Sequence, residues 1–196
     1  KVGFSDVGPE IVVSAPAGNC VSTVSRTACQ YSIITTTNAG SQQPLTGNSP
    51  YTDAFYYAVG TSFSAPMVSA TVALMFSGRP SLTLPEVKAV LQSTASPFPQ
   101  SGADNGPNGL PVRRCDEPIR TADPVEDSQC YCTTALCGAG MLNADAAVAE
   151  VINAPFARIS FTPAAPVAGT PVALSSASSL VASGRTITRW QWALVS

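Results

Sequence analysis

Hydrophobic and polar positions along the chain fall into three regimes. In the first, apolar runs are short and separated by loops. Residues 10–16, Glu-Ile-Val-Val-Ser-Ala-Pro, form an apolar run closed by Pro and Gly, which predicts a buried strand feeding a loop. Residues 31–37 are β-branched and aromatic and predict a second strand, whereas residues 38–53 turn to Gly, Ser, Gln, Asn and Pro and predict a surface loop. The second regime is helical. From Ser62 to about Gly78 small and apolar residues follow one another without a charge, which predicts a helix buried on most sides and stopped at Gly78. Thr83, Pro85 and Glu86 have capping-box spacing and start a helix through Thr94, with Val87, Val90 and Leu91 on one face. After Gly138-Ala139-Gly140, Asn143 is placed to cap a third helix from Ala144 to about Ile152. The third regime begins at Pro155, where Ala157, Ile159 and Phe161, then Val172 and Leu174, then Ile187, Trp190 and Trp192 alternate between turns. That is a β-sandwich pattern, but roughly three strands stand where a sandwich needs about seven, so the module is expected to be incomplete. Trp190 and Trp192 share one side of their strand and are expected to face the sandwich core.

Composition narrows the classes. Charged residues make up 11% of the 196 positions and hydrophobic ones 45%, the balance of a chain that buries a core. The formal net charge is -2 and no basic cluster exceeds Arg113-Arg114, which argues against nucleic acid or an anionic membrane as partner. No apolar run approaches the roughly 18 residues a spanning helix needs. Lys1-Val2-Gly3-Phe4-Ser5-Asp6 reads as the inside of a domain, so processing or truncation is expected to have removed what preceded it.

Six cysteines in two groups, Cys20 and Cys29, then Cys115, Cys130, Cys132 and Cys137, predict disulfides and export from the cell. With no histidine and only Cys132 and Cys137 near knuckle spacing, zinc is the weaker reading, and no metal or cofactor is expected in this chain. Cys20 and Cys29 would close a short loop, while the other four allow three connectivities. Between Cys115 and Cys137 the acidic Asp116, Glu117, Asp123, Glu126 and Asp127 make an irregular, stapled excursion.

The chemistry-bearing run is Gly60-Thr61-Ser62-Phe63-Ser64-Ala65-Pro66, a serine delivered by glycine to the mouth of an apolar helix. The first N–H groups of a helix lack internal partners and the helix dipole favours negative charge there, so a serine so placed has an N–H available to an oxyanion. Taken alone, Gly-Thr-Ser is more often an ordinary helix start. The run nevertheless resembles the nucleophile motif of the subtilase family of serine proteases, Gly-Thr-Ser, three mostly small residues, then Pro and a buried helix. Residues 4–16, Phe-Ser-Asp-Val-Gly-Pro-Glu-Ile-Val-Val-Ser-Ala-Pro, resemble the strand and Ala-Pro-Gly turn before that motif. Residues 138–144, Gly-Ala-Gly-Met-Leu-Asn-Ala, resemble the segment opening the family's last helix. Two departures are Met67, where the family often has His, and Ala17-Gly18 in place of a single Gly.

The resemblance implies an α/β fold, the C-terminal part of a three-layer subtilisin-like catalytic domain over residues 1–153, followed over 154–196 by the truncated start of a PKD- or immunoglobulin-like β-sandwich. It implies Ser62 as acylating nucleophile and oxyanion donor, with Gly60 and Thr61 shaping its turn. It further implies a secreted endopeptidase acting on peptide or protein substrates, with structural calcium a feature the full protein could carry. The family's catalytic Asp, catalytic His and oxyanion Asn belong N-terminal to this stretch, so the chain alone is expected to be inactive and to need the missing part of its own domain as partner. Two alternatives stay open: a sedolisin-type acid peptidase, which shares Gly-Thr-Ser-x-x-x-Pro and uses Glu as base, and a non-catalytic module that keeps the fold. Glu10, Asp53 and Glu86 read as surface or capping carboxylates.

Overall fold

Three helices build the core, and short ladder contacts tie the loops to it. The structure, a computed structural model, describes residues 5–18, 33–52, 60–102, 112–117 and 129–193. In chain order the elements are β1 (Thr35–Thr36), β2 (Tyr51–Thr52), α1 (Thr61–Gly78), α2 (Leu84–Ser93), α3 (Ala144–Asn153), β3 (Ser160–Thr162) and β4 (Ala173–Ser175). The mixture of helix and strand suits an α/β domain.

The helices start where their caps dictate. At α2 the Thr83 N–H donates to Glu86 Oε2 at 2.7 Å, and the reciprocal capping-box bond is present, so two helix-end donors are satisfied at once. At α3 the Ala146 N–H donates to Asn143 Oδ1 at 3.0 Å. Val87, Val90 and Leu91 of α2, Ala147 and Val151 of α3, and Met75 of α1 meet in one buried cluster with Leu82. Gly78 lets α1 and α3 approach closely, because a Cβ there would stand 3.1 Å from Ile152 Cγ1.

The predicted burial of α1 on most sides is not found. Among the described residues only Thr71 and Met75, one turn apart on a single face, are buried, while Leu74 is 57% and Phe76 39% exposed. An uncharged apolar sequence states what surroundings a helix accepts, but α3 and the core cover only one of its sides. Residues 10–16 also depart from expectation. They form no strand, only a single parallel bridge from Ser14 to Met141, flanked by hydrogen bonds from Ala139 N–H to the Val12 carbonyl at 3.0 Å and from Ser14 N–H to the Gly140 carbonyl at 2.9 Å. Met141 bridges Ser96 on its other side, so residues 138–142 are the middle of a three-segment ladder.

The stretch 38–53, expected as a surface loop, contains β2, which pairs antiparallel with β1, Thr35 opposite Thr52 and Thr36 opposite Tyr51. Asn38 organises what lies between. Its Oδ1 accepts from the N–H groups of Gly40 and Leu45, and its Nδ2 donates to the Leu45 carbonyl and Ser49 Oγ. Asparagine's capacity to imitate a backbone turn holds the hairpin without hydrophobic periodicity.

Beyond Pro155 the described residues hold one antiparallel strand pair, β3 with β4, Phe161 opposite Leu174, and an isolated antiparallel bridge from Phe156 to Leu180, while the third expected run, residues 187–192, forms no strand. Phe161 and Leu174 are exposed, and Trp190 and Trp192 are 46% and 47% exposed, so neither Trp sits in a sandwich core. No second sheet among the described residues covers these side chains. The segment is nevertheless fastened to the helices. Phe156 packs against the core cluster, the Arg79 guanidinium lies 4.6 Å over its ring and donates to the Ala154 carbonyl at 3.0 Å, and Arg158 grips Glu86 at 2.7 Å.

No helix among the described residues is long and apolar enough to cross a membrane. The structure selects one of the three cysteine pairings, Cys115 with Cys130 and Cys132 with Cys137. The expected Cys20–Cys29 bridge lies outside the described residues.

Candidate active site

The serine motif is placed by the turn that precedes it in sequence by more than forty residues. Gly60 is the N-cap of α1 with φ 135° and ψ 158°, a backbone conformation that side-chain-bearing residues avoid, and its N–H donates to the Ala17 carbonyl at 2.7 Å. Thr61 and Ser62 then open the helix. Ser64, one residue beyond Phe63, points its hydroxyl back to that turn, 2.9 Å from the Ala15 carbonyl and 3.0 Å from the Pro16 carbonyl. The turn and the helix start are thus joined at both ends of the motif.

The Ser62 side chain is exposed, at the second helical position, where the N–H has no acceptor within the helix. Pro66, four residues on, has no N–H to give to the Ser62 carbonyl, so the ladder that would normally continue from this residue is interrupted. The helix carries no acidic residue in its first turn, leaving the positive end of its dipole uncompensated there. A hydroxyl beside unpaired N–H groups at a positive helix end can attack a carbonyl and stabilise the resulting oxyanion, given a base to take its proton. With no histidine in the sequence, a serine–histidine pair cannot form within these 196 residues.

The turn itself rests on the ladder. Ser14 accepts the Leu142 N–H at its carbonyl at 2.6 Å, and its hydroxyl donates to the Cys137 carbonyl at 2.9 Å. Gly138, at φ 79°, passes so close that a Cβ would stand 2.6 Å from the Val12 carbonyl carbon. The three segments singled out in the sequence therefore come together: residues 138–142 hold residues 12–14, and the turn at 15–17 holds the start of α1. A cavity of about 210 Å³ lies behind this turn, lined by Ala15, Pro16, Ala17, Phe98, Cys132 and Met141 among others, and Gly60, Thr61 and Ser62 form no part of its wall. Ser64 and Ser14, which do the fastening, were not singled out by sequence reasoning. The available signal was weak: two hydroxyls in otherwise small, apolar runs.

Glu10 and Glu86 take no part in the site, and Asp53 lies outside the described residues. Glu86 caps α2 and accepts from Arg158. That hydrogen-bonded guanidinium, ahead of the two bonds from Thr83, holds its carboxyl well below the usual range, at about 2, against a smaller opposing effect of burial.

The chain belongs to the subtilase family, whose family model matches residues 2–115. Its function is accordingly that of a serine-peptidase-like domain. The match takes in the Ala15–Ala17 turn and the serine motif, whereas residues 138–144 lie beyond it and are tied by the ladder to residues 12–14. No curated protein matches the chain.

Proposed function

We propose that Ser62 is the acylating nucleophile of a secreted serine endopeptidase, and that its own backbone N–H donates to the oxyanion of the tetrahedral intermediate. The observation carrying this reading is the exposed Ser62 at the mouth of α1, delivered by a positive-φ Gly60 and fastened through Ser64 to the Ala15–Ala17 turn. Thr61 and Gly60 set the approach of the chain to the serine. Ser62 attacks the scissile carbonyl of a peptide or protein substrate, the peptide nitrogen leaves with a proton returned by the base, and water then releases the acyl group.

The base, the group that orients it and a second oxyanion donor come from chain outside these residues. A serine that loses its base loses several orders of magnitude in turnover, so the 196-residue chain by itself is inactive. The disulfides Cys115–Cys130 and Cys132–Cys137 support an oxidising, extracellular or periplasmic location. The exposed Leu74 and Phe76 of α1 support a partner surface within the same domain. The reading requires neither metal nor cofactor in this chain.

Labelling with a fluorophosphonate probe tests it, using this chain and a longer chain that supplies the upstream histidine and aspartate. The longer chain is expected to label and the shorter one not, with Ser62→Ala abolishing the signal. No labelling of the longer chain would transfer the domain to a non-catalytic, binding role. Labelling that survives loss of the histidine would point to a carboxylate base instead.

A further inference from the structure

Three of the four cysteine sulfurs between residues 115 and 137, those of Cys115, Cys132 and Cys137, form one cluster that spans two disulfides, and Cys130 is bonded to it through Cys115. Backbone hydrogen bonds run beside the disulfides in the same place. Arg114 bridges Tyr131, the Cys115 N–H donates to the Tyr131 carbonyl at 2.9 Å, and the Tyr131 N–H donates to the Arg113 carbonyl at 2.8 Å. Cys130 and Cys132 flank Tyr131, and residues two apart in an extended stretch project to one side. The turn after Cys132, closed by the Cys137 N–H on the Thr133 carbonyl at 2.9 Å, brings Cys137 back to the same place. The Sγ atoms of Cys115, Cys132 and Cys137 all lie within 4.8 Å of one another, although they belong to two different disulfides. Each disulfide also has one half-exposed sulfur residue, Cys115 or Cys132, and one buried, Cys130 or Cys137 at 4% and 1% exposure.

We propose that this cluster is a thiol-exchange site, in which a small external thiol catalyses a change of partners between the two disulfides. The thiolate of a monothiol attacks Sγ of half-exposed Cys132; the Cys132–Cys137 bond breaks, a mixed disulfide forms on Cys132, and Cys137 leaves as a thiolate. Cys137 attacks the neighbouring Sγ of Cys115, forming Cys115–Cys137 and expelling Cys130 as a thiolate. Cys130 attacks Cys132 across Tyr131, forming Cys130–Cys132 and returning the external thiolate. Two disulfides are present before and after, no net oxidation or reduction occurs, and the thiol is regenerated. The exchange reaches the serine turn, because the Cys137 carbonyl accepts the Ser14 hydroxyl and residues 138–142 carry the ladder that holds residues 12–14.

The test needs no enzymatic activity. The oxidised chain is incubated with substoichiometric reduced glutathione, quenched in acid, alkylated and mapped by peptide mass spectrometry. Cys115–Cys137 and Cys130–Cys132 peptides are expected to appear beside the original pairs, at a rate independent of protein concentration, and to accumulate beyond the amount of thiol added. A Cys115→Ser/Cys130→Ser variant is expected to stop at the mixed disulfide on Cys132. Should that variant fail to fold, the wild-type time course decides alone. Original pairs accompanied only by opened thiols or glutathione adducts, in amounts limited by the thiol, overturn the proposal.

Discussion

Ser64 has one hydroxyl proton and two carbonyls within reach of it, those of Ala15 and Pro16. This shared bond and the Gly60 N–H on Ala17 are what fasten the mouth of α1 to its turn. The Ala15 bond is half-buried, so its loss leaves a carbonyl poorly served by water. Ser64→Ala is therefore expected to lower stability by about 1 kcal/mol, and to speed amide hydrogen exchange selectively at Gly60 and Phe63. Chemical denaturation and exchange mass spectrometry together read this. Uniform exchange at those amides would mean that the turn holds without the hydroxyl. Gly60 could be read from the sequence as a turn residue, but its function as donor to Ala17 could not, since that contact joins residues distant in the chain.

Among the elements, α2 is the one whose limits are most fully legible in the sequence. Thr83, Pro85 and Glu86 carry the start, and the observed helix runs Leu84–Ser93 with Thr94 as its cap. Glu86 has a second partner that capping rules do not supply, Arg158, which donates to both carboxylate oxygens at 2.7 Å and also to the Ser81 carbonyl. The bond lowers the Glu86 carboxyl from its ordinary 4.5 to about 2. A depressed carboxylate stabilises the folded state fully above its ordinary pKa, and the contribution fades as pH falls toward the folded value. Glu86→Gln, which keeps a side chain able to cap, is expected to be less stable than wild type at neutral pH. The gap should close progressively between about pH 4.5 and about pH 2. Thermal melts of both proteins across that range measure it, and a gap that stayed constant would remove Arg158 from the account.

At the scale of the molecule, the helices share one small core centred on Met75, which is fully buried and meets α2 and α3 residues in the same cluster. Met75→Ala is expected to cost roughly 2–5 kcal/mol, read by urea unfolding. A cost well below that range would show that the core repacks around the gap. The segment after Pro155 adds Phe156 to this core, while its strands expose Phe161 and Leu174. The alternation of apolar residues there correctly marked strands β3 and β4, because period-two patterning is a property of the local backbone. Whether a second layer covers a strand depends on distant residues, and the pattern alone carries no record of them.

The sequence by itself determined the helices, their caps, two of the three strands expected after Pro155 and the three segments that resemble a subtilase. Each of these rests on interactions a few residues apart: a side chain on a nearby N–H, a glycine that permits a turn, a proline that removes a donor. Tertiary structure decided the rest. It chose Cys115–Cys130 and Cys132–Cys137 among three pairings, left one side of α1 exposed, paired β2 with β1, and brought Ser64 to Ala15 and Arg158 to Glu86. These contacts link residues far apart in the chain, and composition and periodicity do not encode which distant partner a hydroxyl, a thiol or an apolar face will meet.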